Sequence, residues 1–307
     1  MQNPNITAEN FVAEVTKNMK HFPEEKVYSL AYANSYCFFE VSINDLPIFK
    51  DFKIMGSSGF EINPFIFKSG KQKVFYKMYP IGRFEEEFFK TLRDNTYLEL
   101  DLVSYDLKKQ DNPDVTYSRY KTPSTTIKIS EGYSEEKFIA SGKEYYEGSF
   151  EIDVNVPYVL NKPFEKGKDL TKMDKKELEA KVLKFYEKLK LVYSNKEMDN
   201  IAKLTFDKMA NEFYATYEKD DEIDKAWKEL VKDVKSTSFE MQPIENYKLQ
   251  FYGDGKLVAL ISKSDIHYLR GDSALWAKYK DADGDLSALT IKHFLYIPEG
   301  ETEFKVF

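Results

Sequence analysis

Asp281, Asp283 and Asp285 alternate through the run Asp281-Ala-Asp-Gly-Asp285, the spacing of the first three ligands of a calcium loop. Hard cations take carboxylate oxygens, so this run is the first candidate for metal chemistry. The rest of the pattern departs from it. Glycine falls at the fourth place where the loop needs it at the sixth, and Lys292 stands at the twelfth where a bidentate glutamate is required. The flanking sequence reads as strand, so an acidic hairpin turn is the stronger expectation and calcium the weaker one.

The histidines are His21, His267 and His293, and none is spaced as a metal pair on one helix. His293 alternates with apolar neighbours in Thr290-Ile-Lys-His-Phe-Leu295, as a satisfied sheet residue would. If the C-terminal strands curl, His293 could line a concave interior with Tyr252, Trp276 and Tyr279, a setting in which small ligands bind. The single cysteine, Cys37, excludes an intramolecular disulfide and a cysteine zinc site. It sits in the strand-like run Tyr36–Ile43 and is expected to be a small buried hydrophobe. Glu85-Glu86-Glu87 reads as a solvated turn. The chain has no Gly-x-Ser-x-Gly, P-loop, Gly-x-Gly-x-x-Gly or Cys-x-x-Cys. No catalytic residue and no cofactor is assigned on this reading.

The elements that must position these residues fall into three blocks, and the fold class expected is α+β. Residues 1–24 are a lead segment, with a short helix over 7–20 that carries Phe11, Val12, Val15 and Met19 on one side. Residues 25–156 read as an antiparallel β-sandwich. Phe39, Val41 and Ile43 alternate with Glu40, Ser42 and Asn44, and Leu98, Leu100 and Leu102 repeat the pattern. Further alternating runs lie at 125–129, 137–140 and 149–154, while Phe84–Leu92 reads as a short helix or irregular turn. Residues 157–173, with Pro157, Pro163 and Gly167, read as a linker.

Residues 174–307 read as three helices followed by a curled antiparallel sheet. Asp174 and Glu177 stand at capping spacing, with Leu178, Val182, Phe185, Leu189 and Val192 as the apolar stripe. The next helix carries Ala202, Phe206, Met209, Phe213 and Tyr217. The third carries Ile223, Ala226, Trp227, Leu230, Val231 and Val234, with Lys232 and Lys235 suiting its C-terminal dipole. Gly253-Asp254-Gly255 then joins two strands of a hairpin.

Two stretches carry a family resemblance. Val182-Leu-Lys-Phe-Tyr186, Lys190-Leu-Val-Tyr193 and Met198–Leu204, followed by strand-rich sequence, resemble the opening of NTF2-like (SnoaL-type) cone folds. That resemblance covers about 175–307 and implies a cone-shaped pocket, either catalytic or purely for binding. The Asp/His or Tyr/Asp set of the family's enzymes finds no residue-by-residue match here. Ile62-Asn63-Pro64, with Ser69-Gly70-Lys71-Gln72 leading into a strand, resembles jelly-roll modules of the galactose-binding type over about 20 residues.

A chain of 307 residues suggests two domains, and 42% hydrophobic content with 16% aromatic is enough for real cores. The net charge of −7 disfavours nucleic acid as a main partner and would suit a basic protein. No run approaches the roughly 18 apolar residues of a membrane-spanning helix, so no membrane insertion is expected. The start shows neither basic residues nor an apolar segment. A cytoplasmic protein is therefore expected, or an exported one whose signal has been removed. The leading functional expectation is a non-enzymatic protein-binding module, with an immunity-type protein that neutralises a toxin as a specific form. The alternatives are carbohydrate or small-ligand binding through the sandwich or the cone, and an enzyme with its site in that cone.

Overall fold

The computed structural model describes residues 2–307 other than 267 and 282. The fold is α+β, built from antiparallel sheets and a helical block. The chain divides into two compact units, His21–Val159 and a second made of the residues up to Lys20 together with Leu160–Phe307. Among the described residues no helix is long and apolar enough to cross a membrane.

The first unit holds β1 (Lys26–Ser35), β2 (Phe38–Ile43), β3 (Leu46–Asp51), β4 (Met55–Glu61), β5 (Gly70–Tyr79), β6 (Gly82–Phe84), β7 (Glu87–Phe89), β8 (Tyr97–Asp106), β9 (Val115–Lys121), β10 (Ser124–Ser130), β11 (Tyr133–Phe138) and β12 (Tyr146–Val154). One sheet has the order β4-β1-β8-β9 and the other β12-β5-β2-β3. The alternation does what it should: Phe39, Val41 and Ile43 of β2 are buried, as are Val74, Tyr76 and Met78 of β5 and Leu98, Leu100 and Leu102 of β8. Asn44 and Asp45, both with positive φ, form the tight turn between β2 and β3.

Aromatic side chains close the space between the two sheets. Tyr32 of β1 meets Phe39 at 5.1 Å, and Tyr120 of β9 stacks on Phe150 of β12 at 4.1 Å. Tyr76 and Tyr120 share a hydroxyl–hydroxyl bond of 2.6 Å. Gly148 lies directly across the ladder from Tyr76, and a Cβ there would overlap the phenol oxygen. Tyr76 is fully buried and cannot swing away. Gly148→Ala is therefore expected to cost about 1–3 kcal/mol by overpacking. Chemical denaturation of the two proteins measures it, and an unchanged midpoint would show that the ring has room to shift.

Two expectations for this unit are corrected. Phe84–Leu92 overlaps the hairpin β6–β7, which starts at Gly82 and whose turn places Glu85 at φ 53. The helix-like spacing of Phe84 and Phe88 there is coincidental, and the guanidinium of Arg93 lies over the Phe89 ring at 4.7 Å. The runs at 125–129 and 137–140 do not extend either main sheet. Their strands, β10 and β11, form a two-stranded sheet of their own among the described residues.

The second unit holds α1 (Phe11–Thr16), α2 (Lys175–Ser194), α3 (Met198–Thr216), α4 (Asp220–Lys235), β13 (Glu240–Met241), β14 (Tyr247–Tyr252), β15 (Leu257–Ser262), β16 (Trp276–Lys280), β17 (Leu286–Thr290), β18 (Leu295–Tyr296) and β19 (Lys305–Val306). Its sheets have the orders β13-β16-β17 and β14-β15-β18-β19. The Asp174 carboxylate caps α2 by accepting from the backbone N–H groups of Lys176 and Glu177, each at 3.0 Å. The buried face of α2 is Leu178, Val182, Tyr186, Leu189 and Tyr193, rotated one residue from the stripe expected through Phe185 and Val192. On α3, Ile201, Ala202, Leu204 and Thr205 are buried, while Phe206, Met209 and Phe213 pack at the margin of the core.

Most of the segments expected to be a linker and a lead, 160–173 and the residues up to Lys20, belong to this unit. Leu160, Phe164 and Leu170 are buried, and 163–166 and 170–172 form single 3-10 turns. Phe11 of α1 is fully buried and stacks on Trp227 of α4 at 4.0 Å. Ordered apolar anchors, spaced too irregularly to show a period, account for both corrections.

Candidate functional site

His293 lies between β17 and β18 with its ring inside the core, 4% exposed. The rotation of α2 brings two phenols to it. Tyr193 Oη lies 3.0 Å from His293 Nε2, and Tyr186 Oη donates to the His293 carbonyl at 2.7 Å. The same Tyr186 oxygen accepts from the Leu260 N–H of β15 at 3.3 Å. One helix, one strand and one loop are thus bolted together through three polar groups.

Burial, and then the nearby Lys208 charge, hold the His293 imidazole down at about 3. Burial also pushes both phenols up. At neutral pH the site is a neutral ring bonded to a protonated hydroxyl. A base so weak and so enclosed is poorly matched to proton transfer at neutral pH, so the arrangement works as a structural fastening.

The other residues expected around a concave interior are Tyr252, Trp276 and Tyr279. Tyr252 ends β14 and meets Phe294 edge-on at 5.2 Å. Trp276 and Tyr279 are three residues apart on β16 and therefore point to opposite faces of that strand. The Tyr279 hydroxyl donates to Asp233 of α4 at 2.9 Å, and burial with that carboxylate pushes it up to about 12. All three rings are half-buried, and those of Tyr252 and Tyr279 pack against the core of their unit.

Asp281 caps its own turn. Its Oδ1 accepts from the N–H groups of Asp283 and Asp285, and its Oδ2 from the Ser287 hydroxyl. These bonds hold its carboxyl below the usual range. An aspartate used this way shapes a loop between strands, as the sequence suggested. Among the described residues no group of three or more His, Cys, Asp or Glu side chains is placed to hold a metal. Cys37 is fully buried, and burial pushes its thiol up to about 12. His267 lies outside the described residues.

Two surfaces of the sandwich unit carry groups that the fold itself does not use. The first is hairpin β10–β11. Every residue of β10 is exposed, and β11 becomes buried only at Phe138. The hairpin is rooted there: the Phe138 N–H donates to the Asp94 carbonyl, and Lys137 pairs with the Asp94 carboxylate at 3.0 Å. Ile127 and Ile129 of β10 are 40% and 55% exposed, and the register of the hairpin shifts at Ile129. Ile127 lies opposite Glu135, and Tyr133, 52% exposed, donates to Glu135 at 2.7 Å.

The second surface is the rim formed by β4, the outer strand of its sheet. Behind it lies Asn34, 2% exposed. Its Nδ2 donates to the carbonyls of Cys37 and Lys53, which fixes the amide orientation, and its Oδ1 has no hydrogen-bond partner. Asp51, also buried, accepts from the Tyr32 hydroxyl at 2.6 Å and from the Lys53 N–H at 2.9 Å. A Cβ on Gly56 would stand 3.3 Å from Asn34 Oδ1 and 3.4 Å from Asp51 Oδ2. Neither surface was assigned from sequence. The exposed isoleucines carry the ordinary alternation of a core strand, and an orphaned amide oxygen leaves no trace in residue order.

No family model, curated protein or solved structure matches the chain.

Proposed function

We propose that the chain is a non-enzymatic protein-binding module and that the exposed end of hairpin β10–β11, with Ile127, Ile129 and Tyr133, is its contact surface. The observation that carries this reading is the exposure of two isoleucines and a tyrosine around the turn of a hairpin that, among the described residues, forms a two-stranded sheet of its own. A two-stranded hairpin is marginal in water, and β-branched residues on its surface contribute nothing to the core. They gain free energy only when something covers them. The net charge of −7 favours a basic partner by steering its approach. An immunity-type protein that covers a basic toxin is one form of this reading. The enclosure of His293 supports binding over acid–base catalysis.

The test is affinity capture from the protein's own cells, with the Ile127→Lys/Ile129→Lys double variant beside the unaltered chain. The expected result is a stoichiometric partner that the variant loses, with affinity falling about 100-fold, since each buried isoleucine contributes roughly 1.5 kcal/mol or more. The melting temperature should hardly move because both positions are already solvated. Equal capture by both proteins would refute the hairpin as the contact.

A further inference from the structure

The register of the first sheet decides which groups of β4 face outward. The Ile62 N–H donates to the Tyr28 carbonyl, and the Thr122 N–H to the Leu98 carbonyl. Even-numbered residues of β1 therefore bond toward β4, and odd-numbered ones toward β8. Gly56, Ser58 and Phe60, opposite Asn34, Tyr32 and Leu30, use their backbone groups on β1. Met55, Ser57, Gly59 and Glu61 turn theirs to the open side.

The four rims of the sandwich are not equally protected. β3 has Pro47, Lys50 and an irregular register. β9 has a register shift with Arg119 and Lys121, and β12 shows Glu147, Glu151 and Asp153. These are the features that discourage strand addition. β4, Met55-Gly-Ser-Ser-Gly-Phe-Glu61, has no proline, no lysine and no register shift, and its single charge is at its end. Met55, Ser57, Ser58, Gly59 and Glu61 are exposed.

A residue added opposite Gly56 would face it in a non-hydrogen-bonded pair, where side chains approach most closely. Its side chain would lie on the inner face and pass over a residue that has none. Beyond Gly56 are the orphaned Asn34 Oδ1 and the Asp51 carboxylate, two acceptors that face the same gap. An aliphatic side chain there would leave the buried acceptor unsatisfied. An ammonium or guanidinium would satisfy it and oppose the charge.

We infer that β4 is a docking edge for an extended segment of a partner protein, which pairs with Met55, Ser57 and Gly59 and sends one basic side chain across Gly56 to Asn34 and Asp51. The inference uses residues separate from the hairpin and stands or falls independently of it.

The probe is a displayed library of random, unconstrained decapeptides panned on the full chain, with the winning peptide measured by fluorescence anisotropy. A lysine or arginine at one fixed position is expected, and its replacement by methionine should weaken binding at least 10-fold. Gly56→Ala, which fills the path with one methyl, should do the same. Ser57→Pro removes an outward N–H that the sheet does not use and should abolish binding. Should that variant fail to fold, hydrogen exchange of the unaltered chain replaces it, with peptide-dependent protection of the Ser57 and Gly59 amides expected. Ile127→Lys/Ile129→Lys should leave the peptide's affinity unchanged. Failure to select any peptide, winners without a fixed basic residue, unchanged binding to Ser57→Pro, absent protection, or loss of binding in the hairpin variant would each overturn the inference. The last result would do so while leaving the hairpin reading intact.

Discussion

Trp227→Ala is expected to destabilise the helical unit by about 3–5 kcal/mol, the usual cost of removing a large buried aromatic. The indole lies at 11° to the Phe11 ring, and Phe11 in turn meets Phe206 of α3 edge-on at 5.6 Å. Trp227 Nε1 donates to the Ala8 carbonyl at 3.0 Å, so the substitution also leaves a part-buried acceptor. The damage should spread along the N-terminal segment. Asn3 donates to the Lys203 carbonyl, and Gln2 exchanges two bonds with Val306 of β19. These ties lie on the same N-terminal segment as Phe11 and are expected to loosen with it. Trp276 is then the remaining tryptophan and lies in the same unit, so its fluorescence during urea unfolding reports the loss directly. Trp227→Phe should recover most of it. A change below about 1 kcal/mol would show that the stack is peripheral to the core, as surface substitutions are.

The second large effect is a loss of stability in acid that originates at His293. Its folded value is about 3, against an ordinary value of 6.5 that applies to the unfolded chain. Above pH 6.5 both states hold a neutral ring, and the group leaves stability independent of pH. Between 6.5 and 3 only the unfolded chain binds the proton, so stability falls with falling pH, by about 2 kcal/mol at pH 5 and about 4 kcal/mol at pH 3.5. Carboxylates add their own acid dependence, which a difference experiment removes. Urea midpoints at pH 7, 6 and 5 should fall more steeply for the unaltered chain than for His293→Gln. Parallel slopes would mean that the ring is protonated in the folded protein and that the Tyr193 contact is not as described.

The sheets were legible where one face is buried and the other wet. Phe39, Val41 and Ile43 alternate because β2 has one side on the core, and Leu98, Leu100 and Leu102 do so for the same reason. The helical block was legible through Asp174 and the 3.6-residue period. The polar fastening was not. Tyr186 and Tyr193 continue the buried stripe of Leu178, Val182 and Leu189, one residue from Phe185 and Val192, and both series fit a helical period. Their buried hydroxyls are satisfied by a histidine about 100 residues away, and sequence spacing does not encode so distant a partner. Thr125–Ile129 misled in the opposite direction. Its alternation is that of a core strand, but no sheet covers it, so the local pattern and the tertiary environment disagree at the hairpin proposed to bind.

Hydrogen exchange of the captured complex, against the free protein, tests the binding surface most directly. The Ser124–Phe138 hairpin should exchange quickly in the free chain, because its strands are solvated on both faces. With the partner bound, protection is predicted to centre on Ile127–Tyr133 and to fade toward the base at Phe138. A complex in which this hairpin exchanges as fast as in the free protein would contradict the account.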